Sequence, residues 1–260
     1  MSMRIAGTIC WALEIIVVLA YLYVGREKVS KQSLILKEIA SAGPILYASL
    51  LINMSGHLSR GAAMFVGALV LYWLGDFVTA YLPMVHGGTI KSFYGETYRE
   101  KGTGLTIWLG TGCIAIIVSY FMQMVVFLNR LRDAGELTQY AIFFLIIFLV
   151  PLLLIAIGLP LTGFEIPEVT TRLFIIGIFY ALLTSALFAT TIVFSAWFMQ
   201  FDRNHALFIA MGGVTFLLSA LIMGLRYSDF KKYDTKELRI ISRSLIYLSR
   251  MILAGCAFLF

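Results

Sequence analysis

The sequence predicts an all-α protein, a polytopic transmembrane bundle of about eight helices. Three observations predict it. Of 260 residues, 60% are apolar and only 13% are charged, where a soluble domain is about a quarter charged and just under half apolar. The apolar residues gather in eight runs, each near the roughly 20 residues that a helix needs to cross the hydrocarbon layer. The basic residues concentrate between those runs, where membrane proteins keep Lys and Arg.

The runs cover 5–24, 37–55, 61–83, 104–128, 140–161, 172–199, 205–226 and 242–260. The first reads as a retained helix, because Gly25-Arg26-Glu27-Lys28 follows it without a small-residue cleavage site. The second is the least apolar and holds Pro44. The third carries Tyr72-Trp73-Leu74-Gly75-Asp76 and ends near Pro83. The fourth and sixth qualify by length and apolarity alone. The fifth has no polar side chain between Ala141 and Pro160, so it is expected to face lipid on most sides. The seventh places Ala206, Ala210, Gly213, Ala220 and Gly224 on one stripe at 3.6 residues per turn. Small residues let helices approach closely in lipid, so this stripe is expected to pack against a neighbour. The eighth closes the chain and contains Arg250. No linker, low-complexity tract or internal repeat divides the chain, which reads as one transmembrane domain over 1–260.

Lys and Arg also orient such a bundle. The odd-numbered connections hold Arg26, Lys28, Lys31 and Lys37, then Lys91, Arg99 and Lys101, then Arg172, then Arg226, Lys231, Lys232, Lys236, Arg239 and Arg243. The opposite side holds Arg4, Arg60, Arg130, Arg132 and Arg203. This bias puts both termini on the non-cytoplasmic side.

The net charge of +6 does not indicate a nucleic-acid partner, because no basic stripe interleaved with aromatics accompanies it. Membrane lipids are the expected surroundings. Cys10, Cys113 and Cys256 fall in separate apolar segments, and His57, His86 and His205 are far apart. There is no CxxC and no His/Cys pair at metal spacing, and no cofactor is expected.

An ionisable group at membrane depth costs several kcal/mol by most scales and marks a functional candidate. Asp76, Arg250 and Glu14 qualify. Asp76 lies about seven residues, on the order of 10 Å, inside its helix end. It is too short to snorkel that far, and it serves either chemistry or a structural hydrogen bond. Arg250 sits at a similar depth on the same side. It either snorkels to the interface or pairs with Asp76, and the pair would be structural. Glu14 is near the middle of the first run and reads most simply as a structural hydrogen bond.

The order of these features resembles the lysoplasmalogenase (YhhN) family of eight-helix membrane proteins. Lys37 sits where that family has a Lys-Pro. Gly67 through Asp76 is similar to its Gly-Asp helix, and Trp108-Leu109-Gly110 through Ser119-Tyr120 to a helix carrying a His before an aromatic. Gly212 through Ala220 resembles its Ser-Asp helix, and Leu245 through Arg250 its closing Tyr–Gln helix. The resemblance implies a hydrolase cleaving the vinyl-ether bond of lysolipids. Asp76 would be catalytic, with Lys37, Tyr72, Ser119 and Tyr247 binding substrate. It also implies a second acid, but that position is Ala220. The His position is Ser119, the Gln is Arg250, and Glu38 stands for the Pro. Vinyl-ether cleavage needs a proton delivered to carbon and an activated water, a division of labour that suits two carboxyl groups. Only one matches, so a catalytically degenerate copy is expected. Two further readings remain. One is a non-catalytic subunit of a larger complex, docking through the Met84–Gly104 loop with Tyr94 and Tyr98, or through Arg226–Arg243. The other is a proton-coupled transporter, with Pro44 and Pro151 marking broken helices.

Overall fold

The computed structural model describes residues 3–25, 31–56, 58–85, 103–161, 171–228 and 235–260. Among these, eight α-helices follow one another: α1 (Met3–Val24), α2 (Lys31–Ser55), α3 (Arg60–Val85), α4 (Thr103–Asp133), α5 (Ala141–Leu161), α6 (Thr171–Phe198), α7 (Arg203–Ser228) and α8 (Lys236–Ala254). A 3₁₀ turn, Ala257–Leu259, ends the chain. Seven helices are long and apolar enough to cross a membrane, and α5 is apolar throughout its 21 residues. Helices are the form that satisfies every backbone N–H and C=O within lipid. The protein is a multi-pass integral membrane protein built as an all-α bundle.

Helix ends fall where capping side chains and glycines stand. The Ser59 hydroxyl accepts from the Ala62 amide at 2.9 Å and opens α3. Asp202 accepts from the Asn204 and His205 amides at 2.9 and 3.1 Å and opens α7, and Thr235 caps α8 through the Leu238 amide. Gly56 and Gly135, at φ 72° and 78°, provide the left-handed turns that end α2 and α4.

Long faces of α3 and α4 pack together, as do those of α7 and α8, while α6 lies against both α4 and α7. The main core forms there, around Phe65, Tyr120, Phe127, Leu187, Phe194 and Phe216. A smaller cluster of Tyr21, Leu22, Ala40 and Tyr247 fastens α1 and α2 to α8. The outer surface is apolar. Ile142, Leu145, Ile146, Leu149, Leu153 and Leu154 of α5 all point outward, as the absence of polar side chains there predicts.

Three expectations change. α2 begins at Lys31, six residues before the predicted start at 37, so Lys37 lies inside a helix rather than in a connection. α8 occupies 236–254 rather than 242–260. Its chain turns at Gly255, and Phe260 packs on Phe65, Phe127 and Phe194. The small stripe of α7 is only partly an interface. Ala206 is buried, and Gly213 fits against Thr191 of α6, but a Cβ placed on Gly224 would meet nothing within 4 Å. Gly212, off the predicted stripe, gives the close approach to Ile252 and Leu253 of α8. Both α2 and α5 run unbroken through Pro44 and Pro151. Most of the Met84–Gly104 loop, and residues 229–234 of the Arg226–Arg243 segment, lie outside the described residues.

Candidate functional site

Three side-chain pairs at helical spacing converge between α2, α3 and α8. Residues three or four apart share a helix face, and the pairs are Lys37 with Ser41, Tyr72 with Asp76, and Tyr247 with Arg250. Asp76 is the centre. Its Oδ1 lies 2.8 Å from the Lys37 ammonium, with the two side chains 19% and 17% exposed. Lys37 also donates to the Asp76 backbone carbonyl at 3.3 Å. The Ser41 hydroxyl donates to Asp76 Oδ2 at 3.3 Å and lies 3.4 Å from the Tyr247 hydroxyl. One carboxylate thus ties α3 to α2 through two oxygens, each with its own partner, and Ser41 carries the network on to Tyr247 of α8. A charge at this depth requires such satisfaction.

The backbone beside Asp76 is fixed by a close crossing. A Cβ placed on Gly75 would fall 2.6 Å from the Gly112 carbonyl oxygen, and one on Gly112 would fall 3.0 Å from the Gly75 carbonyl oxygen. α3 and α4 therefore touch backbone to backbone, and Asp76 is pinned one residue from that contact.

Arg250 forms a second centre. It is 3% exposed, and its guanidinium carbon lies 3.4 Å above the Tyr72 ring, 5.0 Å from Tyr120 and 5.7 Å from Phe216. Tyr72 and Tyr120 stack at 6.0 Å, and the Tyr120 and Tyr180 hydroxyls stand 3.4 Å apart. None of the guanidinium nitrogens has a well-aligned hydrogen-bond partner among the described residues. The expected Asp76–Arg250 ion pair is therefore not formed. Tyr72, one turn before Asp76, occupies the face of the guanidinium, while Lys37, on the neighbouring α2, places its ammonium on the carboxylate.

The remaining expected residues separate. Ser119 is buried and accepts from the Gln123 amide at 3.1 Å, on the Tyr120 side of the bundle rather than in the Asp76 node. Glu14 is buried against α2, where Gly43 makes room for its carboxyl group, and its Oε1 has no hydrogen-bond partner among the described residues. Ala220 neighbours Ser219, whose hydroxyl donates to the Ser242 carbonyl at 2.9 Å. Sequence reasoning missed Ser41 and Glu38. Ser41 was detectable as the residue one turn beyond Lys37. Glu38 lies against Trp73, and no well-aligned hydrogen bond reaches its buried oxygens among the described residues. Its signal was its presence next to Lys37 inside the second apolar run, where it was read only as standing for the Pro.

The fold and these two centres define a class, a multi-pass membrane helix bundle with an ion-paired polar node in its interior. Comparison of the chain with protein-family models, curated proteins and solved structures finds no match.

Proposed function

We propose that the protein is a divergent, catalytically degenerate relative of the lysoplasmalogenases, a lysolipid-binding membrane protein in which the Asp76 node holds helices and ligand but does not hydrolyse. The observation that carries this reading is the 2.8 Å Lys37–Asp76 contact. A carboxylate committed to an ammonium and a hydroxyl is not free to deliver a proton to carbon. Lys37, Tyr72 and Tyr247 surround the node as binding groups, and Ser119 serves from the neighbouring layer. Both termini are placed on the non-cytoplasmic side by the Lys/Arg bias, taking α5 as an eighth crossing beside the seven long apolar helices.

Glu38 supports a second reading. A carboxyl group near Asp76 could replace the acid lost at Ala220 and restore hydrolysis. One assay separates the two. Purified protein is incubated with lysoplasmalogen, and aldehyde release is measured beside Asp76→Asn and Glu38→Gln variants. No release, with lysolipid still retained by the wild-type protein, is the expected result. Release that disappears in both variants would make the protein a hydrolase.

A further inference from the structure

The aromatic layer around Arg250 presents more donors than acceptors. Arginine carries five N–H groups in one plane and no acceptor. Stacking on Tyr72 serves the face of that plane and brings the Tyr72 side chain against the guanidinium, but no described residue forms a well-aligned hydrogen bond with its nitrogens. Of the two hydroxyls paired at 3.4 Å, Tyr120 and Tyr180, only one donates to the other, so a second O–H remains. One turn beyond Tyr180, the buried Thr184 hydroxyl also lacks a hydrogen-bond partner among the described residues. Among the described residues, the carboxylates within the spans are engaged or placed elsewhere: Asp76 on Lys37 and Ser41, Glu38 beside Trp73, and Glu14 between α1 and Gly43.

We propose that Arg250 is the anchor of a binding site for a carboxylate anion. Tyr72 closes one face of the guanidinium, Tyr120 and Phe216 stand nearby, and the buried edge is where an acceptor is lacking. A planar anion with two oxygens matches that fork. Arg250 stands about 20 Å along α8 from Lys236, well within a membrane-spanning segment. The bilayer can deliver a fatty acid to that depth, whereas a short-chain carboxylate enters from water. The site does not depend on the lysolipid reading.

The full chain, purified in a non-ionic detergent, is unfolded by heat with oleate, with butyrate and with oleyl alcohol. Oleate is expected to raise the midpoint by several degrees at saturation, and oleyl alcohol is expected to leave it unmoved. A matching rise with butyrate marks a general carboxylate site, and a rise with oleate alone marks a fatty-acid site. Either supports the proposal. Arg250→Met should abolish the rise, and Arg250→Lys, which keeps the charge but loses the fork, should weaken binding at least about tenfold. Should the Met variant not fold, the carboxyl-carbon NMR signal of oleate bound to wild type decides, shifted from its micellar position if the ion pair forms. An equal rise with oleyl alcohol or in Arg250→Met, no rise with any carboxylate, or an unshifted carboxyl signal overturns the proposal.

Discussion

At the scale of single residues, the Lys37–Asp76 pair makes a measurable demand. Removing one partner leaves the other charge buried, which costs about 3 kcal/mol or more in comparable pairs. Asp76→Asn and Lys37→Met are each expected to destabilise the detergent-solubilised protein by about that amount. The Lys37→Met/Asp76→Asn double variant should lose less than the sum, and a double-mutant cycle on unfolding midpoints measures the difference. A second residue acts at the membrane edge. The His205 backbone amide, with the His205 ring at 2.6 Å and the Asn204 amide, holds the exposed Asp202 carboxyl below its ordinary value of 3.8. The folded value is the lower one. The cap therefore contributes its stability above the ordinary value and loses it as pH falls through the folded value. Protection of the Asn204 and His205 amides from hydrogen exchange, corrected for intrinsic rate, should fall below about pH 4. Asp202→Asn, which keeps an acceptor, should remove that dependence. Residue-level legibility was uneven. The depth of Asp76 and Arg250 could be counted along their helices, but the ring of Tyr72 lying over the guanidinium could not, because it depends on how α3 and α8 are rotated against each other.

At the scale of helices, the α3–α4 crossing sets the tolerance for change. Gly75→Ala would press a methyl group onto the Gly112 carbonyl oxygen, and backbone there cannot swing aside as a side chain would. A loss of about 1–3 kcal/mol is expected. Gly110→Ala, where a Cβ meets nothing within 4 Å, should be neutral or mildly stabilising; thermal unfolding of the two variants side by side makes the comparison. Most helices could be read from the sequence because an apolar run in lipid has few alternatives to a helix. The errors came where that signal is weak. The first turns of α2 are polar, with Lys31, Gln32 and Ser33, so the apolar run starts later than the helix and Lys37 was assigned to a connection. In α8 the reverse occurs, since Cys256 through Phe260 are apolar but fold back as a 3₁₀ turn after Gly255. Hydropathy does not distinguish a continuing helix from a segment tucked into an aromatic core.

At the scale of the whole molecule, seven helices are long and apolar enough to cross a membrane, and the proposed orientation takes α5 as an eighth crossing that returns the chain to the side where it began. Single cysteines placed near Ser2 and after Phe260, in a background without Cys10, Cys113 and Cys256, should therefore react alike with a membrane-impermeant thiol reagent. Both should react from the non-cytoplasmic face. Labelling of only one end would remove a crossing, and α5 would be the first to question, since its described apolar stretch, Ala141–Ile155, is the shortest.

Lys37 and Asp76 belong to consecutive helices joined by a turn at Gly56. During synthesis the cation emerges first and meets its counter-charge as soon as the next span follows. Neither helix is a good lone passenger through the insertion machinery with a bare charge, but the two can enter the bilayer together as a neutralised hairpin. The contact that organises the finished interior would then also set the order in which its first walls are raised.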